Sequence, residues 1–197
     1  MPANDPVWGL VLAGGESRRM GRDKALLRRD GQTQLDRAVS LLRGELARVF
    51  VSAREDQAEE EERGKFELIT DRYADLGPLA GILSAMDYAG DVSWLVVACD
   101  LPNVDAQTIA FLLEQRSNAH PFTAYVSSSD SLPEPLCAIY RPESRRIIES
   151  FVAEGIICPR KIMIRSDTCL LTQPNPVALD NVNTPEDLAR TGLEFAP

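Results

Sequence analysis

The stretch "VWGLVLAGGESRRMGRDKALL", Val7 to Leu27, decides the fold. Its apolar run, Val7 to Leu12, is short and stops at the paired glycines Gly14 and Gly15. That pattern predicts a buried strand followed by a tight turn at its carboxyl end. Four basic residues follow closely: Arg18, Arg19, Arg22 and Lys24. Successive backbone N–H groups in such a turn cradle phosphate oxygens, and nearby Arg and Lys add charge-assisted hydrogen bonds. Ala13, Gly14 and Gly15, with Arg19, Arg22 and Lys24 in reach, therefore suit a polyphosphate. The bland alternative is a plain turn with solvated arginines. A position beyond the carboxyl end of a first strand weighs against it. Neither GxxxxGK[ST] nor GxGxxG occurs here, so the loop is of another kind.

Outward from this strand, short apolar runs alternate with segments of helical period. Leu35, Ala38, Val39, Leu42 and Leu46 fall at helical spacing. Val49 to Val51 and Phe66 to Ile69 read as strands. Leu79, Ile82, Leu83 and Met86 mark a helix with Pro78 in its first turn. Trp94 to Ala98 is a buried strand, and Ile109, Leu112 and Leu113 mark a helix capped by Asp105. This order predicts an α/β fold: a Rossmann-like, mostly parallel sheet with helices on both faces. Ligands of such sheets sit beyond the carboxyl ends of the strands. After Arg116 the order blurs. "AYV" and "LCAIYRP" read as strands around a polar loop, and Ile147, Ile148, Phe151 and Val152 as a helix face. No linker divides the chain. A single domain spanning residues 1–197 is expected. The acidic run "EDQAEEEER", Glu55 to Arg63, reads as a solvated face.

Composition narrows the function classes. The 197 residues carry a formal net charge of -9, which argues against bulk nucleic-acid binding but not against one small anion at a basic loop. The four cysteines, Cys99, Cys137, Cys158 and Cys169, are scattered, and His120 is the one histidine. That usage suits reduced thiols better than a zinc site or a disulfide framework. Neither a signal peptide nor a membrane-spanning run is recognisable, so a cytoplasmic protein without membrane contact is expected.

Other polar residues stand where chemistry needs them. "WLVVACDLP" ends a buried strand in Asp100. A carboxylate at the edge of an apolar run costs desolvation unless it is paired, and a divalent ion is one such partner. Mg2+ prefers one or two carboxylates together with phosphate oxygens and water. A cap on the turn before Pro102, or an arginine partner, is the plainer reading. Asp71 follows the strand "FELIT" and either touches a nucleoside or closes a turn. "GPLAG", Gly77 to Gly81, permits close approach to a sugar or base, or simply starts a helix. In "DNVNTPEDLA", Thr184, Pro185 and Asp187 read as helix-start residues, whereas the amides of Asn181 and Asn183 are free to face a polar ligand.

With these residues assembled, "LAGGESRRMGRDKALL" resembles the signature loop of the molybdenum cofactor guanylyltransferases, the molybdopterin branch of the nucleotidyltransferase superfamily. The similarity continues in order through "DLGPLAG", "VVACDLP", "EPLCAIYRP" and "NVNTPEDL". The resemblance implies an enzyme that binds GTP with Mg2+, joins GMP to the terminal phosphate of molybdopterin and releases pyrophosphate. It implies that the backbone of Leu12, Ala13 and Gly14 holds the nucleotide and that Lys24 binds its phosphates. It places Asp71 by the nucleoside, the metal on Asp100, and Asn181 and Asn183 near the pterin. Molybdenum-insertion proteins and molybdoenzymes are the further partners it implies. The chain departs from the family at Ser52, where guanine-specific members often carry Asn. That leaves a CTP-using relative, with a pterin or a sugar-phosphate acceptor, as the alternative.

The expected step is in-line attack by an acceptor phosphate oxygen on the α-phosphorus. The attacking phosphate is already anionic, so the step needs charge neutralisation and alignment rather than a strong base. Lys24 and Arg19 are expected to stabilise charge on the leaving pyrophosphate. A non-catalytic nucleotide-binding adaptor is the rival from another class, and the presence of both Lys24 and Asp100 counts against it.

Overall fold

The computed structural model describes residues 5–14, 23–180 and 193. Gly15, Arg18, Arg19 and Arg22 of the basic loop lie outside the described residues, as do Asn181, Asn183 and the helix-start residues Thr184, Pro185 and Asp187.

In chain order the elements are β1 (Val7–Leu12), β2 (Arg28–Arg29), β3 (Gln32–Thr33), α1 (Gln34–Arg43), β4 (Val49–Ala53), β5 (Leu68–Thr70), α2 (Pro78–Tyr88), β6 (Ser93–Ala98), α3 (Ala106–Glu114), β7 (Phe122–Val126), β8 (Pro133–Tyr140), α4 (Ser144–Ala153), α5 (Pro159–Ile164) and β9 (Thr168–Leu171). The described strands form one seven-stranded sheet, in the order β5-β4-β1-β6-β8-β7-β9, and a small β2-β3 hairpin. β1 pairs in parallel with both β4 and β6, β4 with β5, and β7 with β9. β8 is antiparallel to both of its neighbours, β6 and β7. Among the described strands of this sheet only β8 therefore runs against the rest, and the mostly parallel α/β sheet expected from the sequence is present.

Strand alternation sorts the core into two layers. Val11, Val49, Val51, Leu95 and Val97 pack with α1 and α3 on one face. Leu10, Phe50, Trp94 and Val96 pack with α2, α4 and α5 on the other. Covered on both faces, β4 and β6 are buried along their whole length, which is why they read as nearly unbroken apolar runs. Asp105 caps α3 by accepting from the Thr108 N–H at 2.8 Å. Thr33 and Asp36 form a reciprocal capping box on α1. α1 ends at Arg43 with Gly44 as its C-cap, short of the Leu46 that the helical spacing includes; Leu46 still packs on the core. No described helix is long and apolar enough to cross a membrane.

The acidic run departs from its reading as a solvated face. Gln57 is buried and Arg63 is 0% exposed. The carboxylates of this segment do face outward in part, but the segment packs an arginine inward against Ala13 and Asp23.

α2 lies close on β1 and β4. A Cβ at Gly81 would meet the Ser52 Oγ well inside contact distance and the Leu12 Cδ2 at 2.9 Å. Gly81→Ala is expected to cost about 1–3 kcal/mol of stability by overpacking, read as a lower urea midpoint. An unchanged midpoint would contradict this packing.

Candidate active site

The carboxyl ends of four parallel strands carry the candidate residues. Leu12 on β1 sits level with Ser52 on β4 and Ala98 on β6. The ladder continues one step further: the Cys99 N–H donates to the Leu12 carbonyl at 3.2 Å, and the Ala13 N–H to the Ser52 carbonyl at 3.0 Å. The Asp71 N–H, just past β5, donates to the Ala53 carbonyl at 2.9 Å. Ala13–Gly14, Ser52, Asp71 and Asp100 are thus brought side by side by sheet pairing alone. They open onto a cleft of about 970 Å³, where Leu12, Lys24 and Gly77 join them. All eight of the sequence-derived nucleotide residues that lie within the described chain share this one cleft. Arg19, Gly15, Asn181 and Asn183 lie outside the described residues.

Asp100 is incompletely satisfied. Its Oδ1 is buried and has no hydrogen-bond partner among the described residues. Burial pushes its carboxyl up from the ordinary range, while the Lys24 charge opposes the shift. A carboxylate oxygen in that state is suited to a cation. Among the described residues no cluster of three or more His, Cys, Asp or Glu side chains forms a metal cage. A cation on Asp100 would complete its shell with ligand oxygens and water, the habit of Mg2+ rather than of a structural zinc. The adjacent Cys99 thiol is pushed far up by burial, then by Asp100 and Asp23, which disfavours the thiolate. The loop after β6 is anchored by Arg29, whose Nη2 donates to the Pro102 carbonyl at 2.9 Å.

Lys24 opens a short 3₁₀ turn, Lys24–Leu26, capped by Asp23. Across the cleft, the Ser52 hydroxyl donates to Asp71 Oδ1 at 2.6 Å. Asp71 Oδ2 lies so near Gly14 that a Cβ there would sit 3.0 Å away. Glycine at this position therefore lets the loop backbone lie against a carboxylate. Gly77, with φ of 54°, turns the chain into α2 in a conformation that side chains resist. A smaller hollow of about 410 Å³ adjoins the cleft through Gly77, Pro78 and Leu136. Its walls are mostly apolar, with the Arg160–Glu134 pair (2.7 Å) at one side.

Two residues at the site escaped the sequence reading. Arg54 donates through Nη1 to the Gly14 carbonyl at 3.0 Å. Arg63 donates through Nη2 to the Ala13 carbonyl at 2.7 Å. Arg54 stands one residue beyond β4, a placement that marks the mouth of such a sheet. Arg63 carries no local signal of burial, because the partners that hold it inward, Ala13 and Asp23, are distant in the chain.

An α/β sheet with a glycine turn, a lysine and a buried carboxylate at the carboxyl ends of neighbouring strands defines a nucleotide-handling enzyme of the nucleotidyltransferase kind. The chain belongs to the MobA-like NTP transferase domain family, whose model matches residues 9–168. It is 32% identical to a molybdenum cofactor guanylyltransferase of Shewanella sediminis, over 90% of this chain and 91% of that protein. It is 35% identical to a molybdenum cofactor biosynthesis bifunctional protein of Synechocystis over 92% of its own length, and spans 52% of that relative. The solved structure of molybdopterin-guanine dinucleotide biosynthesis protein A from Archaeoglobus fulgidus matches with a TM-score of 0.77. It covers 93% of this chain and 96% of that one at 23% identity, a likeness of fold. Family membership sets the chain among nucleotidyltransferases and against the non-catalytic adaptor.

Burial, chiefly, holds the Asp71 carboxyl above its ordinary value of 3.8, against the Ser52 hydrogen bond and the Arg54 charge. The folded chain then binds this proton more tightly than the unfolded chain does. Stability contributed by the protonated form is lost as pH rises through the raised value. Asp71→Asn removes that loss. The variant's melting temperature relative to wild type is expected to climb as pH rises from the ordinary carboxylate value through the raised one, and then to level off. A difference that is flat with pH would contradict the assignment.

Proposed function

We propose that the chain transfers GMP from GTP to the terminal phosphate of molybdopterin and releases pyrophosphate. The observation that carries this reading is the buried Oδ1 of Asp100, without a hydrogen-bond partner among the described residues, in one cleft with Lys24 and the Gly14 backbone. The curated relatives' names supply the acceptor and the base.

In this reading the triphosphate lies between the glycine turn and Asp100. An oxygen of the acceptor phosphate attacks the α-phosphorus in line. The bond from that phosphorus to the bridging oxygen of the β-phosphate breaks, and pyrophosphate leaves with the electron pair. The absence of a Cβ at Gly14 lets the nucleotide approach the backbone of Leu12, Ala13 and Gly14. Lys24 places a cation against the phosphates and, with Arg19, stabilises charge growing on the leaving group. Asp71 stands on the nucleoside side, with Gly77 at the turn into α2. The Ser52 hydroxyl, engaged by Asp71, acts on base choice by holding that carboxylate. Asp100 would hold Mg2+, which when bound neutralises phosphate charge and aligns the oxygens. The smaller hollow, walled largely by residues after 133, suits the acceptor; Asn181 and Asn183, outside the described residues, are assigned to the acceptor from the family resemblance. Molybdenum-insertion proteins and molybdoenzymes are the proposed downstream partners, in the cytoplasm.

Lys24→Ala and Asp100→Ala are each expected to lower kcat/KM by roughly 100–1000-fold while the fold survives. Pyrophosphate release with GTP or CTP, each with and without molybdopterin, tests the reaction. Release that requires GTP and molybdopterin supports the proposal. A requirement for CTP selects the cytidylyl alternative. Full activity in either variant would remove these residues from the mechanism.

A further inference from the structure

We infer that Arg63 is a positioning residue that staples the two ends of the glycine loop and so sets the geometry in which a nucleoside triphosphate binds. The inference rests on the nucleotidyltransferase reading above. Arg63 closes the acidic run, 0% exposed. Its Nη2 reaches the Ala13 carbonyl at 2.7 Å and the Asp23 Oδ2 at 2.5 Å, and its Nη1 pairs with Glu60. Ala13 is where β1 ends; Asp23 is where the turn bearing Lys24 begins. One guanidinium nitrogen thus touches the entry and the exit of the loop.

The consequences for the ligand follow from peptide geometry. The peptide between Ala13 and Gly14 is planar and trans, so its N–H points opposite its C=O. With the Ala13 carbonyl held by Arg63, the Gly14 N–H is directed away from Arg63. Arg54 holds the next carbonyl, that of Gly14, at 3.0 Å. At the far end, Asp23 uses its second oxygen, Oδ1, to accept from the Ala25 N–H at 2.9 Å. A continuous path, Ala13 carbonyl to Arg63 to Asp23 to the Ala25 N–H, fixes the spacing between the glycine backbone and Lys24.

Stability alone is a poor reason for this arrangement. A fully buried guanidinium pays a large desolvation cost, and buried ion pairs are weak evidence of stabilisation. The Arg63 Nε is buried without a partner among the described residues. What the planar fork offers is direction: it binds a carbonyl and two carboxylates at set angles, which a lysine's point charge does not.

Calorimetric titration of the full chain with MgGTP, together with steady-state pyrophosphate release, tests this on wild type, Arg63→Lys and Arg63→Ala. Arg63→Lys keeps the charge and most of the volume, so it decides the matter if Arg63→Ala does not fold. Expected are wild-type stoichiometry, a Kd and KM for MgGTP raised roughly ten- to a hundredfold, and a smaller fall in kcat. Added guanidinium ion is expected to restore much of the affinity of Arg63→Ala. A purely structural role would instead lower stoichiometry and apparent kcat at unchanged Kd, and would overturn the inference. So would a wild-type Kd in Arg63→Lys while Lys24→Ala loses binding, which leaves the nucleotidyltransferase reading intact. Failure of the wild type to bind or turn over any nucleoside triphosphate would overturn that reading and this inference with it.

Discussion

The parallel pairing of β1 with β6 is the constraint on which the site depends. In a parallel pair both carboxyl ends fall on the same side of the sheet, and the Leu12–Ala98 register makes them level. Everything the cleft contains is a consequence. The glycine turn leaves β1 beside the point where Asp100 leaves β6. β4 and β5, stacked outward from β1, add Ser52 level with Leu12 and Asp71 just past the Thr70 that pairs with Ala53. Lys24 returns to this rim because Asp23 is tied back to Ala13 through Arg63. Residues more than seventy positions apart thus meet without any loop needing a long reach.

The same placement sets stability against chemistry. Burial pushes both Asp71 and Asp100 above the usual carboxylate range. Neither shift helps the ligand-free fold near neutral pH, and perturbed carboxylates of this sort concentrate where a protein binds or reacts. The sheet absorbs the cost. β1, β4 and β6 are covered by helices on both faces, and their side chains supply much of the core. A rigid frame of this kind can carry a carboxylate oxygen with no partner without closing over it.

The fold up to about residue 116 was legible from sequence because its signals are local. Val7–Leu12 and Ser93–Ala98 are apolar runs, Asp105 and Pro78 mark helix starts, and Asp100 stands out at the end of a buried strand. Beyond Arg116 the signals weaken for physical reasons. β8 runs antiparallel, the β7–β8 pairing shifts register between Ala124 and Tyr125, and β9 is a half-exposed edge of four residues. The two-residue strands β2 and β3 have no period to read. Arg63 shows the limit best. Its neighbours in sequence are acidic and suggest solvent, yet beside the local Glu60 two of its partners lie forty and fifty residues away. Burial of a charge is decided by tertiary pairing, which composition does not report. The part given to Arg19 rests on its place in the basic loop, and those given to Asn181 and Asn183 rest on family resemblance; all three fall outside the described residues.

The most direct test is a crystal structure of the full chain with a non-hydrolysable GTP analogue and Mn2+ in place of Mg2+, with the metal located by anomalous scattering. The account predicts a metal peak within coordination distance of an Asp100 carboxylate oxygen, with the phosphates lying between it, Lys24 and the Gly14 backbone. A metal bound elsewhere, or a triphosphate seated away from the carboxyl ends of β1 and β6, would contradict it.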